Sequence, residues 1–83
     1  MGFFERAQER WVAGKRERGL PLDSAFQGDP RIEFQEEMLD GANYADEMWR
    51  RGMIQDEVRL RVKGMLRELY DMAERAREEE ADG

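Results

Sequence analysis

Apolar side chains recur every three or four positions through most of the chain, which is the spacing of amphipathic α-helices. The first such stretch spans about residues 3–18, where the apolar positions fall on one face of a helix. Gly19 and Pro21 follow directly and end it, because both residue types interrupt helices. The sequence therefore predicts a first helix over about residues 3–18, followed by a connector.

A second helix is predicted over residues 30–50. Asp29 can cap its free backbone N–H groups, and Pro30 suits the first helical position, where a missing donor costs nothing. Gly52 predicts the end of this helix. Its apolar residues spread over one half of the helix surface: Ile32, Phe34, Met38, Leu39, Ala42, Ala45, Met48 and Trp49.

A third helix is predicted over about residues 54–79. We expect the acidic end of the chain, residues 78–83, to fray. Its apolar positions repeat at spacings of three and four, which is typical of a coiled-coil seam. The predicted seam consists of Ile54, Val58, Val62, Met65, Leu69, Met72 and Ala76.

Three helices with short connectors predict an all-α fold, a three-helix bundle that forms one domain over residues 1–83. A chain of this length buries only a limited core and usually needs added stability from disulfides, a metal or partner subunits. We therefore expect oligomerisation to complete the bundle, as a homodimer or a larger homo-oligomer.

The composition excludes several kinds of chemistry. The chain has no cysteine and no histidine, which excludes disulfides, thiolate or imidazole zinc sites and histidine-based nucleophile pairs. A formal net charge of -6 argues against broad binding to nucleic acid.

No apolar run approaches the roughly 20 residues that span a bilayer, so no membrane partner is expected. Without cysteine or an export-signal pattern, we expect a cytoplasmic protein.

Acidic side chains line one face of the second helix, opposite its apolar half. Glu33, Glu36, Glu37, Asp40 and Glu47 fall within about 100° of arc, with Tyr44 among them and Asn43 at the edge. The pairs Glu33–Glu37 and Glu36–Asp40 are one turn apart and repel each other. Such a stripe is typical of a solvated helix face, but it also suits a divalent cation, because Mg²⁺ prefers oxygen ligands.

The stretch Glu36-Glu37-Met38-Leu39-Asp40-Gly41-Ala42-Asn43-Tyr44-Ala45 resembles the second metal-binding helix of the MazG-like and dimeric dUTPase superfamily of all-α NTP pyrophosphatases. The family pattern there is ExxD followed by an apolar run, often with an aromatic residue four positions after the aspartate. Glu37 and Asp40 fill the ExxD pattern, and Tyr44 holds the aromatic position. The likeness is carried by residues 33–49.

The resemblance implies that Glu37 and Asp40 are catalytic and, together with Glu33 and Glu36, hold Mg²⁺ or Mn²⁺ against the phosphates of a nucleotide. It further implies that Tyr44 borders or stacks on the base. Asn43, beside it, is available to bond the ligand or a neighbouring helix. The implied reaction is hydrolysis of a nucleoside triphosphate to the monophosphate and pyrophosphate.

The family pattern also has an ExxE pair on the preceding helix, facing the ExxD pair. In this chain the first helix carries Glu5 and Glu9, an ExxxE spacing. The ExxE spacing of Glu33 and Glu36 lies on the same helix as ExxD. A complete site therefore needs Glu5 and Glu9, or a second subunit.

Two other hypotheses remain open at this point. A protein with this incomplete set of ligands can sequester a nucleotide without hydrolysing it. Alternatively, the chain is a small helical adaptor or inhibitor of the phage type, which docks its apolar seam on a protein partner.

Overall fold

The structure is a computed structural model, and it describes residues 2–22, 26 and 28–82. Three α-helices make up most of this part of the chain: α1 (Phe3–Glu17), α2 (Pro30–Arg50) and α3 (Asp56–Asp82). No strand occurs among the described residues. The prediction of an all-α fold with three helices is therefore confirmed, and none of the described helices is long and apolar enough to cross a bilayer.

The two ends of α2 follow the signals in the sequence. At its start, Oδ1 of Asp29 accepts a hydrogen bond from the backbone N–H of Arg31 at 2.9 Å, and Pro30 occupies the first helical position. At its end, Gly52 takes a φ of 71°, and the N–H of Met53 bonds the carbonyl of Met48 at 2.9 Å. This is the Schellman arrangement that glycine permits, so both predicted ends of α2 are confirmed.

The third helix is shifted towards the C-terminus relative to its predicted range. It begins at Asp56 rather than Ile54, because Ile54 lies in the turn that follows Gly52. It continues to Asp82, past the predicted end at residue 79. Good helix-forming residues fill this last stretch, and Arg31 of α2 binds it through the carbonyl of Ala76 and the carboxylate of Glu80. Gly83 lies outside the described residues.

The packing between helices in the described chain is that of α2 against α3, which run antiparallel as a helical hairpin. Near one end, the amide of Gln35 donates to Glu74 at 2.7 Å, and near the other, Lys63 donates to Asp46 at 3.0 Å. Ala45 is the one fully buried apolar residue among those described. The hairpin therefore has a thin core made of small side chains, with polar pairs along its contact.

The predicted apolar seam of α3 is not the stripe that packs on α2. The contacts of α3 with α2 instead include the side chains of Arg59, Lys63, Leu66, Glu74, Arg77 and Glu80 and the backbone carbonyls of Tyr70 and Ala76. Most of the predicted seam is exposed, with Met65 at 49%, Leu69 at 41% and Met72 at 57%. Polar pairing with Gln35 and Asp46 orients α3 on α2, and this turns the apolar stripe to one side.

Helix α1 forms a small cluster with the connector that follows it. The Trp11 and Phe26 rings stack at 5.8 Å, and the ammonium of Lys15 donates to the carbonyl of Leu22 at 3.0 Å. The same ammonium lies 5.7 Å from the Trp11 ring centroid. In the part of the chain that the structure describes, α1 packs on neither α2 nor α3.

Candidate functional site

The acidic stripe of α2 lies on the side of the helix that faces solvent. Glu33, Glu36, Glu37 and Asp40 are all exposed, as are Asn43 and Tyr44, whose side chain is 71% accessible. The helix positions them as expected from their spacing, because residues three and four apart share a face. We call Glu33, Glu36, Glu37 and Asp40 the acidic face.

Basic side chains neutralise the acids of α2 at one end of the helix only. Asp46 pairs with Lys63 at 3.0 Å and with Arg59 at 3.6 Å, and Glu47 pairs with Arg50 at 2.9 Å and Arg51 at 3.0 Å. No lysine or arginine among the described residues forms an ion pair with any member of the acidic face. Glu47, which the sequence places on the same stripe, is therefore electrostatically distinct from the acidic face.

Arg31 is the basic residue of α2 closest in sequence to the acidic face, and it is held elsewhere. Its guanidinium bonds both carboxylate oxygens of Asp29 at 3.0 Å and pairs with Glu80 of α3. The hydrogen bond from Arg31 lowers the pKa of Asp29 below its usual value, and the hydrogen bond to Asp29 raises the pKa of Arg31. This arrangement leaves the charges of the acidic face uncompensated within the described chain.

The second carboxylate pair that a complete site requires is not brought to the acidic face. Glu5 and Glu9 are exposed on α1, which makes no packing contact with α2 in the described residues. Among those residues, no three acidic side chains converge into a group that could enclose a metal ion. One helix thus presents carboxylates to one side of a cation, and the other ligands must come from solvent, a phosphate or another chain.

A shallow groove of about 600 Å³ lies elsewhere on the hairpin, between α2 and α3. Leu39, Lys63, Arg67 and Tyr70 contribute to its lining, and none of the predicted site residues does. The groove and the acidic face are therefore separate surfaces.

A second surface feature is the exposed apolar seam of α3, whose packing or docking on a partner was left open by the sequence. Bulky apolar side chains remain exposed on one side of the hairpin, in both helices. Phe34 at 40% and Met48 at 37% are examples from α2, and Val58 at 44% is one from α3. The sequence feature that could have predicted this packing is the group of small residues Gly41, Ala42 and Ala45 on α2, because they let the polar stripe of α3 approach α2 closely.

Comparisons of the chain with models of protein families, with curated proteins and with solved structures found no significant match.

Proposed function

We propose that the acidic face of α2 binds a divalent cation, Mg²⁺ or Mn²⁺, and through it the phosphate groups of a nucleotide. The observation that supports this proposal is that four carboxylates share one exposed face, and no basic side chain of the described chain pairs with them. The repulsion between Glu33 and Glu37, and between Glu36 and Asp40, is relieved when a cation binds.

The donor set fits Mg²⁺. This ion takes oxygen ligands, usually one or two carboxylates together with water and phosphate oxygens, and seldom an all-protein cage. Glu37 and Asp40, one turn apart, can supply the carboxylates, with Glu33 and Glu36 beside them. Tyr44 and Asn43 lie one turn further along the exposed side of α2, where they can border the nucleoside.

When bound, such a cation polarises a phosphate and neutralises developing charge, which is the chemistry that nucleoside triphosphate hydrolysis requires. The carboxylates of this chain hold and orient the ion, and Glu37 and Asp40 are the residues to which the family resemblance assigns catalysis. Measuring the release of pyrophosphate distinguishes hydrolysis of the nucleotide from its sequestration. The proposal places this activity in the cytoplasm.

The test is calorimetry with Mn²⁺ or Mg²⁺ alone and then with a panel of nucleotides in the presence of Mg²⁺. We expect the double variant Glu37→Gln/Asp40→Asn to weaken cation binding at least tenfold. The matched control is Glu57→Gln/Glu78→Gln, which removes the same charge from exposed positions of α3 that have no ion pair in the described chain, and it should bind as the wild type does.

Two results would overturn the proposal. One is the absence of any cation or nucleotide binding by the wild-type chain. The other is equal binding by the two double variants, since the affinity would then reflect net charge and not the acidic face. A pyrophosphate assay on the same samples separates hydrolysis from binding without turnover.

A further inference from the structure

The helical hairpin leaves one of its two sides apolar and uncovered. Gln35–Glu74 and Asp46–Lys63 mark the polar side of the contact between α2 and α3. Phe34 and Met48 lie between about 100° and 160° around α2 from Gln35 and Asp46. At the same 100° per residue, Met65 and Leu69 lie about 120° to 180° around α3 from Glu74 and Lys63. The apolar residues of both helices therefore share the opposite side.

We define the apolar face by six large side chains on this side, every one of them exposed: Phe34, Met48, Val58, Met65, Leu69 and Met72. The face is two helices wide and runs along most of the hairpin. Gly41 lies between Phe34 and Met48 along the same side of α2, at seven-residue spacing, and it packs against Leu66 of α3. The face is therefore continuous across the junction of the two helices.

The exposed area of the chain points to a missing layer. Its accessible surface is 7154 Å², whereas a compact monomer of 9.8 kDa exposes about 5,200 Å². Its radius of gyration is 15.8 Å, whereas a compact domain of this length has a radius of about 12 Å. Part of the excess belongs to α1. The rest belongs to the hairpin and the connector, and the total of roughly 2,000 Å² leaves room for the 800 Å² or so that each partner buries in a standard interface.

We propose that a second copy of this chain covers the apolar face, giving a dimer whose core is a four-helix bundle. Two antiparallel helices with one apolar side are half of such a bundle, and an identical hairpin supplies a face of the same width and length. This inference stands on the apolar face alone and holds whether or not the acidic face binds a cation.

Charge selects one of the two symmetric ways of stacking the hairpins. The edge of α2 that points away from α3 carries the acidic face, so stacking α2 on α2 of the second copy brings two acidic edges together. The outer edge of α3 carries Arg61 and Arg75 along with Glu57, Glu68 and Glu79, and neither arginine has an ion pair in the described chain. Stacking α2 on α3 of the second copy sets the acidic face against this mixed edge, so the repulsion is smaller than between two acidic faces.

This second arrangement also predicts which residues meet. The Gln35–Glu74 hydrogen bond places Arg75 close to the level of Glu33 along the hairpin. A two-fold axis parallel to the helices preserves that level, so Arg75 of the second copy lies near Glu33. The dimer thus brings to the acidic face an arginine that a single chain does not provide.

The first test is the mass in solution, measured by light scattering and sedimentation equilibrium across protein concentrations. We expect twice the chain mass of 9.8 kDa for the wild type. Leu69→Glu, in the apolar face, should weaken association at least tenfold. Leu60→Glu is the matched control, because Leu60 is 55% exposed and lies about 180° from Leu69 around α3. It should remain dimeric.

The proposal would be overturned if the wild type were a monomer at all concentrations. A monomer whose apolar face binds a different protein would overturn it as well. Equal association by the two leucine variants would overturn the assignment of the face. Circular dichroism of each variant shows whether its helices are intact.

The second test leaves the apolar face untouched. Because the chain has no cysteine, the double variant Glu33→Cys/Arg75→Cys has a single pair of thiols. Within one chain these positions lie on opposite outer edges of the hairpin, so a disulfide should form only between chains. We expect a covalent dimer from the double variant under mild oxidation and much less from either single variant. Absence of the covalent dimer, or equal yield from Glu33→Cys alone, would overturn the stacking of α2 on α3.

Discussion

Gly41 of α2 and Leu66 of α3 are in close contact between the two helices. A Cβ atom added at Gly41 would lie 3.1 Å from Cδ1 of Leu66, closer than most real contacts of this kind. Gly64 of α3, by contrast, has no atom within 4 Å of the position that its Cβ would take. The glycines of α2 and α3 therefore differ in role, since Gly41 is constrained by packing between the helices and Gly64 is not.

The first prediction compares alanine at these two positions. Gly64→Ala should stabilise the fold by about 0.5–1 kcal/mol, because glycine is unfavourable inside a helix. Gly41→Ala should stabilise it less, because the Leu66 side chain must move to admit the methyl group. Urea unfolding at one fixed protein concentration measures both. An equal or larger gain from Gly41→Ala would show that Leu66 does not limit the approach.

Arg59 and Trp49 form a second contact between the helices. The guanidinium carbon of Arg59 lies 3.9 Å from the Trp49 ring centroid, and the same group pairs with Asp46 and with Asp56 at 2.6 Å. Arg59→Ala should therefore destabilise the hairpin by about 1 kcal/mol and change the fluorescence of Trp49.

The measurement for this contact uses a Trp11→Phe background, so that Trp49 is the one emitting tryptophan. Arg59→Lys is the control, because lysine keeps the charge but loses the planar stacking, and its effect should be intermediate. Unchanged stability and emission in Arg59→Ala would contradict the contact.

The third prediction concerns repulsion on the acidic face in the absence of cation. Glu37→Gln should raise stability by about 0.2–0.5 kcal/mol at low salt, because Glu33 and Glu37 are like charges one turn apart. Glu47→Gln should lower it, because Glu47 pairs with Arg50 and Arg51. Both effects should shrink in about 1 M salt, where charges are screened. Thermal unfolding at the two salt concentrations tests this, and effects of the same sign would refute it.

The fourth prediction is the pH dependence of the cap at the start of α2. Because Arg31 lowers the pKa of Asp29 in the folded chain, the folded state releases this proton more readily than the unfolded state. The stabilisation is present above the unfolded value of about 3.9 and is lost as pH falls through the folded pKa.

Asp29→Asn is the comparison for that prediction, because asparagine keeps a capping oxygen without the charge. The melting temperature of the wild type should exceed that of the variant near pH 6, and the difference should narrow below about pH 4. A difference that is constant across this range would mean that the Asp29 charge does not stabilise α2.

Local signals in the sequence were sufficient to predict the helices. Asp29, Pro30 and Gly52 act through backbone hydrogen bonds and φ values a few residues away, so they fix the ends of α2 wherever the rest of the chain lies. The exposure of the acidic face also follows from spacing alone.

The side on which α3 packs could not be predicted in the same way. Its apolar stripe was interpreted as a coiled-coil seam, either packed or free to dock on a partner, and the structure shows that Gln35 and Asp46 of α2 instead pair with the polar stripe, through Glu74 and Lys63. These are pairs between residues far apart in sequence, and periodicity within one helix carries no information about them. The same holds for Glu5 and Glu9, whose distance from the acidic face depends on where α1 docks.

Gln35 has one more consequence for the hairpin. Its amide is 4% exposed, donates to Glu74 and to the carbonyl of Tyr70, and accepts from Arg77 at 2.7 Å. Sliding α3 by four residues in either direction would put an alanine, Ala73 or Ala81, where Arg77 now stands. The amide oxygen would then lose its charged donor in a buried position. Gln35 thus favours the present alignment of α2 and α3 over either of these two shifted alignments.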